Sequence, residues 1–328
     1  MPIKDTDFLT ATMVIRALER KLFDKERTAR LCEARSDDEA LRLLAECGYE
    51  AMPSLTAEGF EKALGASRRE LYELLSANLP GEYAVILDVF RLLTDYHNIK
   101  SLIKGGESLL LDLGRVPVKE LLVQYHEFAF TRLPGVMGEA ARDARETLSR
   151  TGDPQASDFR LDRACLGEMR ALAEASESAF LCGYVRLYTD VYNLRSLVRA
   201  QRIGKGPDYL RLILSPGGNV GLARLAAALQ SGGAIEDLFS GGALAEAAEV
   251  GGPASRGEGS LTEFEKLCDD ALLFYARSAR AVAFGEQPLI GYLLEREAEM
   301  TMLRTVIGGR LGGVPVNQVK ERLRAAYG

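Results

Sequence analysis

The feature that most constrains this chain is that it repeats itself. Residues 91–104, RLLTDYHNIKSLIK, and residues 186–199, RLYTDVYNLRSLVR, are identical at seven of fourteen positions. The identities are Arg91/Arg186, Leu92/Leu187, Thr94/Thr189, Asp95/Asp190, Asn98/Asn193, Ser101/Ser196 and Leu102/Leu197. A weaker third copy, EREAEMTMLRTVIG at 295–308, sets Glu299 on Asp95, Leu303 on Ile99, Arg304 on Lys100 and Thr305 on Ser101. Each copy runs into glycines, in IKGGES, RIGKGPD and IGGRLGG, where a helix is expected to end. Repetition at this period means related units whose faces cover one another. The chain therefore divides into helical repeats at 1–110, 111–210 and 211–328. They are expected to pack in a pseudo-threefold or arc-like arrangement.

Most other segments also carry helical spacing. DDEALRLLAECGY places Ala40, Leu41, Leu44 and Cys47 three and four residues apart and stops at Gly48. Ser followed three residues later by Glu marks a capping box at Ser36/Glu39, Ser67/Glu70 and Ser260/Glu263, and so predicts three helix starts. With no convincing period-two strand, the fold class is all-α. SLLLDLG, residues 108–114, is the stretch read as an irregular or strand-like connection. SPGGNVG, SGGAIEDLFSGG and GGPASRGEGS, between 215 and 260, are read as loops joining short helices, with a disordered linker over 251–260 as the alternative.

The repeat also decides how its polar residues are read. Helical spacing puts Leu92, Asp95, Ile99 and Leu102 on one face, with Asn98 at its edge. A carboxylate inside an apolar stripe must find hydrogen-bond partners or lose a few kcal/mol to desolvation. Asp95, Asn98, Asp190, Asn193, Glu299 and Arg304 are therefore read as structural repeat positions that tie neighbouring helices or a cap. The competing reading is an all-α enzyme with a site in one unit around Asp95 and His97. His97 is matched by Tyr192 and Thr301, so a metal cluster shared by the units is excluded.

Chemistry is missing elsewhere too. His126 has no partner at metal-ligand spacing, and GGNVGLAR and IGKGPDY lack the lysine and hydroxyl that a phosphate-binding loop needs after its glycines. There is no G-x-G-x-x-G on a strand and no G-x-S-x-G elbow. The adjacent acids of DDEAL are explained by the first turn of a helix, where they complement its dipole. No catalytic, metal or cofactor residue is assigned. The net charge of −6 and the absence of Trp give no support for a nucleic-acid surface. The five scattered cysteines read as small buried hydrophobes in a reducing compartment. No secretory leader and no membrane-spanning run are recognised, which predicts a cytoplasmic protein that binds other proteins.

The repeated D-x-x-N-[IL]-[KR]-S-L-[IV]-[KR] helix resembles the C subunit of bacterial and archaeal A/V-type rotary ATPases, the counterpart of the d subunit in the eukaryotic vacuolar enzyme. The opening FLTATMVIRALERKLFDKERTARLCEARSDDEALRLLAECGY, the loop YLRLILSPGGNVGLARL and the ending PLIGYLLEREAEMTMLRTVIGGRLGGVPVNQVKERLRAAYG are similar to blocks of that family as well. The likeness covers essentially the whole chain. It implies a funnel-shaped, non-catalytic central-stalk subunit of three helical units. One face would sit on the membrane proteolipid ring while the opening receives the shaft subunits, coupling ATP hydrolysis or synthesis to proton or sodium transport. The third copy departs from the pattern with Met302 in place of asparagine. Lys104, Lys205 and Arg310, at or after the ends of the repeat helices, are candidates for a partner-facing basic rim. Their alternative reading is solvated charge favourably placed at helix C-termini. A helical-repeat adaptor of an unrelated complex is the competing function, but it does not account for the likeness at both termini.

Overall fold

The computed structural model describes residues 3–231 and 234–324. Residues 1–2, 232–233 and 325–328, which include parts of the glycine-rich and C-terminal stretches quoted above, lie outside the described residues. Every regular element among the described residues is helical. The chain forms two compact units: Met1–Gly81, Gly241–Ala254 and Gly259–Gly328 make up the first, and Glu82–Ser240 with Ser255–Glu258 the second.

The first unit opens with α1 (Leu9–Glu19), α2 (Lys25–Cys32), α3 (Asp37–Glu46) and α4 (Ala57–Asn78). The second holds α5 (Val85–Ile103), α6 (Val118–His126), α7 (Met137–Thr151), α8 (Pro154–Ala175), α9 (Ala179–Arg202), α10 (Pro207–Ile213), α11 (Leu222–Ser231) and α12 (Ile235–Phe239). The chain then returns to the first unit for α13 (Ala245–Ser255), α14 (Leu261–Ser278), α15 (Glu286–Leu311) and α16 (Val316–Glu321). The three repeat copies lie on α5, α9 and α15.

Local chemistry explains several of the helix starts. The Ser36 hydroxyl accepts from the Glu39 N–H at 3.2 Å, and the Ser260 hydroxyl from the Glu263 N–H at 3.2 Å, as the capping signature predicts. The Glu39 carboxylate reaches back to the Arg35 N–H at 2.8 Å, one residue before the position a reciprocal capping box would use. Ser67/Glu70 is not a start: Ser67 is buried in the middle of α4, which begins at its Thr56 cap. The apolar stripe Phe60, Ala63, Leu64, Leu71, Tyr72 and Leu75 runs through that point without a break, and it overrides the local signal. A second correction concerns Gly251–Ser255, read as loop or linker but forming the last turns of α13 with Pro253 inside the helix. Ala247, Ala248 and Ala254 are buried, and that packing offsets the poor propensity. The stretch 108–114 is irregular, with one turn of 3₁₀ helix at Glu107–Leu109 and no strand.

In the second unit α8 is the central element, packed against α5, α7 and α9. The α5 side chains Ile86, Val89, Leu92, Ile99 and Leu102 are fully buried, each burial contributing about 1.5–3 kcal/mol. In the first unit α15 plays the same part against α1, α4 and α14, burying Ile290, Leu293, Leu303 and Ile307. All three repeat helices stop in the same way, at Gly105, Gly204 and Gly313, whose φ values are 80°, 68° and 66°. Each glycine N–H returns to the carbonyl three residues back, and the next N–H to the carbonyl five back: Gly106 to Ser101 at 2.7 Å, Lys205 to Ala200 at 2.9 Å, Val314 to Gly309 at 2.8 Å. This pairing satisfies carbonyls that the helix end would leave open, and its left-handed position favours glycine. The second and third stops fall one turn later in their copies than the first.

Candidate functional site

The repeated acids build three matched clamps. Asp95, 1% exposed, accepts from the backbone N–H groups of Arg115 at 3.0 Å and Val116 at 3.1 Å. Asp190 accepts from the N–H groups of Asn219 at 2.9 Å and Val220 at 3.1 Å, and from the Asn219 side-chain amide at 2.8 Å. Three residues further on, each asparagine brackets one residue of the same loop. Asn98 donates to the Leu111 carbonyl at 2.8 Å and accepts its N–H at 2.9 Å; Asn193 does the same with Ser215 at 2.9 and 2.8 Å. Spacing put Asn98 at the edge of the buried face, but this bracket leaves it fully buried.

The clamp requires glycine at one loop position. A Cβ on Gly114 would stand 2.0 Å from Asp95 Oδ1, and one on Gly218 would stand 2.1 Å from Asp190 Oδ1. In both cases the glycine is followed by x-Val and then, after one residue, by a helix: α6 after Pro117 and α11 after Gly221. The carboxylate therefore fixes the point at which the chain leaves a loop to start the next helix.

The third clamp grips the chain near its N-terminal end. Glu299, fully buried, accepts the Phe23 N–H at 2.6 Å and the Tyr49 hydroxyl at 2.7 Å. Phe23 stands where Val116 and Val220 stand, directly before the residue that precedes a helix; here that residue is the Asp24 cap of α2. Arg296 occupies the position of Leu92 and Leu187, bonds Glu299, stacks 4.8 Å over the Tyr49 ring and donates to Ser67 at 2.7 Å. The longer glutamate and its own arginine replace the second backbone donor.

Burial pushes the Asp95 carboxyl up to about 6, against the pull of the Val116 and Arg115 N–H groups, and raises Asp190 in the same way. Burial also raises Glu299, opposed by Arg296, the Tyr49 hydroxyl and the Phe23 N–H. Beyond the acid, the first and third copies carry cations that pair outward. Lys100 and Lys104 pair with Asp162 and Asp158 on α8, the latter at 3.1 Å, and Arg304 pairs with Glu61 on α4 at 2.9 Å.

The remaining sequence candidates lie apart from any reactive arrangement. His97 is exposed, with Nε2 3.3 Å from the Leu109 carbonyl, while His126 faces Glu107 at 3.6 Å. Among the described residues no group of His, Cys, Asp and Glu side chains is placed to hold a metal ion. The five cysteines are free thiols, four of them buried. Lys104 is exposed beside Asp158; Lys205 lies 5.2 Å from the Tyr209 ring; Arg310 bonds Asp37 at 2.7 Å and the Ala34 carbonyl at 2.6 Å. Among the described residues no helix is long and apolar enough to cross a membrane.

Gly114, Gly218, Phe23, Tyr49 and Arg296 are the working residues that sequence reasoning missed. The shared G-x-V after each of the first two copies was the available signal. For the third, the signal was an arginine in place of leucine one turn before the acid.

Residues 12–322 match the family model described as ATP synthase (C/AC39) subunit. The chain is 27% identical to the C subunit of the A-type ATP synthase of Methanocaldococcus jannaschii, over 94% of this chain and 84% of that protein. It is 24% identical to the C subunit of the V-type sodium ATPase of Enterococcus hirae, over 96% of this chain and 97% of that protein.

Proposed function

The chain belongs to the ATP synthase (C/AC39) subunit family, and from that premise we propose that it is a non-catalytic central-stalk subunit of an A/V-type rotary ATPase. In this reading it is a socket. One face rests on the proteolipid ring at the cytoplasmic side of the membrane, and an opening receives the shaft subunits. Torque then passes through it between ATP hydrolysis or synthesis and the transport of protons or sodium ions. Three repeats, 1–110, 111–210 and 211–328, would form a funnel of pseudo-threefold form.

The observation that carries the reading is the set of matched clamps. A torque adapter has to resist shear between its helices, and each clamp fixes a loop to a long buried helix through a carboxylate and, in two copies, an asparagine. None of these groups is open to a substrate, which is what a transmission part requires. Lys104, Lys205 and Arg310 would form the basic rim toward the ring, although Lys104 and Arg310 already hold Asp158 and Asp37.

The test is reconstitution. The purified protein is expected to co-elute at one copy per assembly with both the purified shaft subunits and the detergent-solubilised proteolipid ring. A well-folded protein that binds neither would refute the socket. Joint charge reversal of Lys104, Lys205 and Arg310 should weaken the ring complex only; unchanged assembly would remove the rim.

A further inference from the structure

We propose that a basic cleft in the first unit, beside the third clamp, receives an acidic segment of a partner protein. The cleft has a volume of about 540 Å3 and is lined by the end of α1, the turn into α2 and one side of α14. Five of its ten lining residues are arginine or lysine and two are acids, in a chain whose net charge is −6. Both acids are already engaged: Glu19 bonds Arg16 at 2.8 Å, and Asp24 caps α2 by accepting the Arg27 N–H at 2.8 Å. Arg277 and Arg280 are held by the buried Glu295, and Arg27 donates to the Leu22 and Arg20 carbonyls.

Arg20 and Lys25 are both exposed and have no acidic partner among the described residues. Two exposed cations without acidic partners create a local positive potential that a carboxylate-bearing segment would relieve. Phe274, a lining residue that is 55% exposed, supplies apolar surface for a side chain of the same segment. The volume is far larger than an inorganic phosphate needs. A flat anionic membrane would engage Arg20, Lys25 and the exposed Phe274 at its surface but leave the cleft between α1, α2 and α14 unfilled. These three features together favour a protein segment carrying both carboxylates and an apolar residue. The inference goes beyond the stalk reading and does not rest on it.

The experiment uses the full chain and a fluorescein-labelled Glu/Leu peptide, with binding read by anisotropy at low and high salt. A Lys/Leu peptide, inorganic phosphate and phosphatidylglycerol vesicles are run alongside. The Glu/Leu peptide is expected to bind, to weaken as salt rises, and to lose affinity by about tenfold or more in the R20E/K25E variant. The R20Q/K25Q variant should fall between the two, and both variants should keep the wild-type circular dichroism, since neither side chain has an acidic partner to lose. Equal peptide binding by the wild type and R20E/K25E overturns the proposal. So does displacement of the peptide by millimolar phosphate, which makes this a small-anion site, or binding of vesicles without binding of peptide, which makes it a lipid contact.

Discussion

Gly114→Ala tests the clamp directly. Gly114 does not have a left-handed φ, so alanine is allowed by the backbone and any penalty comes from contact. The new Cβ would lie 2.0 Å from Asp95 Oδ1 and 2.9 Å from its Cγ. Relieving that overlap moves loop and carboxylate apart by about 1 Å or more, which breaks N–H···O bonds now at 3.0 and 3.1 Å. Hydrogen bonds to a charged acceptor are worth about 1.5–3 kcal/mol each, so losing both costs about 3–6 kcal/mol. Reduced freedom of the unfolded chain returns about 0.4–1 kcal/mol, leaving a net loss of about 2–5.5 kcal/mol. Urea unfolding followed by circular dichroism should record that loss, and the Arg115 and Val116 amides should exchange with solvent far sooner. The decisive comparison is the cycle with Asp95→Ala. Once the carboxylate is gone, Gly114→Ala has little left to clash with, and its added cost should fall below about 1 kcal/mol. If alanine costs the same with and without Asp95, the contact does not set the identity of residue 114.

Two further predictions concern the buried charges. Asp95 has a folded pKa of about 6 against the ordinary carboxylate value near 4, so between these pH values the folded state binds more protons than the unfolded one. Its contribution is therefore fully present below about pH 4 and lost as pH rises through 6, a fall of about 3 kcal/mol. Urea midpoints of the wild type should decline over that window, and those of Asp95→Asn should decline less, keeping the share due to the other buried acids such as Asp190 and Glu299; parallel curves would contradict the assignment. Arg296→Leu, which restores the residue of the other two copies, should destabilise the first unit by about 3–5 kcal/mol because Glu299 is left buried without its cation. Adding Glu299→Leu should recover much of the loss, and a double variant as unstable as the single would mean that the Phe23 and Tyr49 bonds, not the charge, dominate.

How far the sequence reached depends on how local each determinant is. The all-α class, the caps at Ser36 and Ser260 and the repeat helices rest on spacings within one or two turns, and these were legible. Ser67 misled because its capping signature is local whereas its actual partner, Arg296, comes from a helix far along the chain. Gly251 and Gly252 misled for the related reason that burial of neighbouring alanines outweighs glycine's preference for loops. The need of Asp95 and Asp190 for hydrogen-bond donors followed from burial alone, but not which donors. The loop glycine lies nineteen residues after Asp95 and twenty-eight after Asp190, because α10 intervenes in the second copy, so no fixed offset reveals it. For Glu299 the donor precedes the acid by 276 residues, and no search downstream of the repeat would meet it.

That last separation governs the order in which the molecule can be assembled during synthesis. Both clamps of the second unit are complete once residue 220 has emerged, and their closing contacts span only twenty to thirty residues. The second unit can therefore settle while translation continues. Phe23 and Tyr49, made near the beginning, must wait for Arg296 and Glu299, made near the end. A nascent chain whose residue 240 has just cleared the ribosome should already protect its Asp95 and Asp190 loops from protease, with α1 to α4 still open to cleavage.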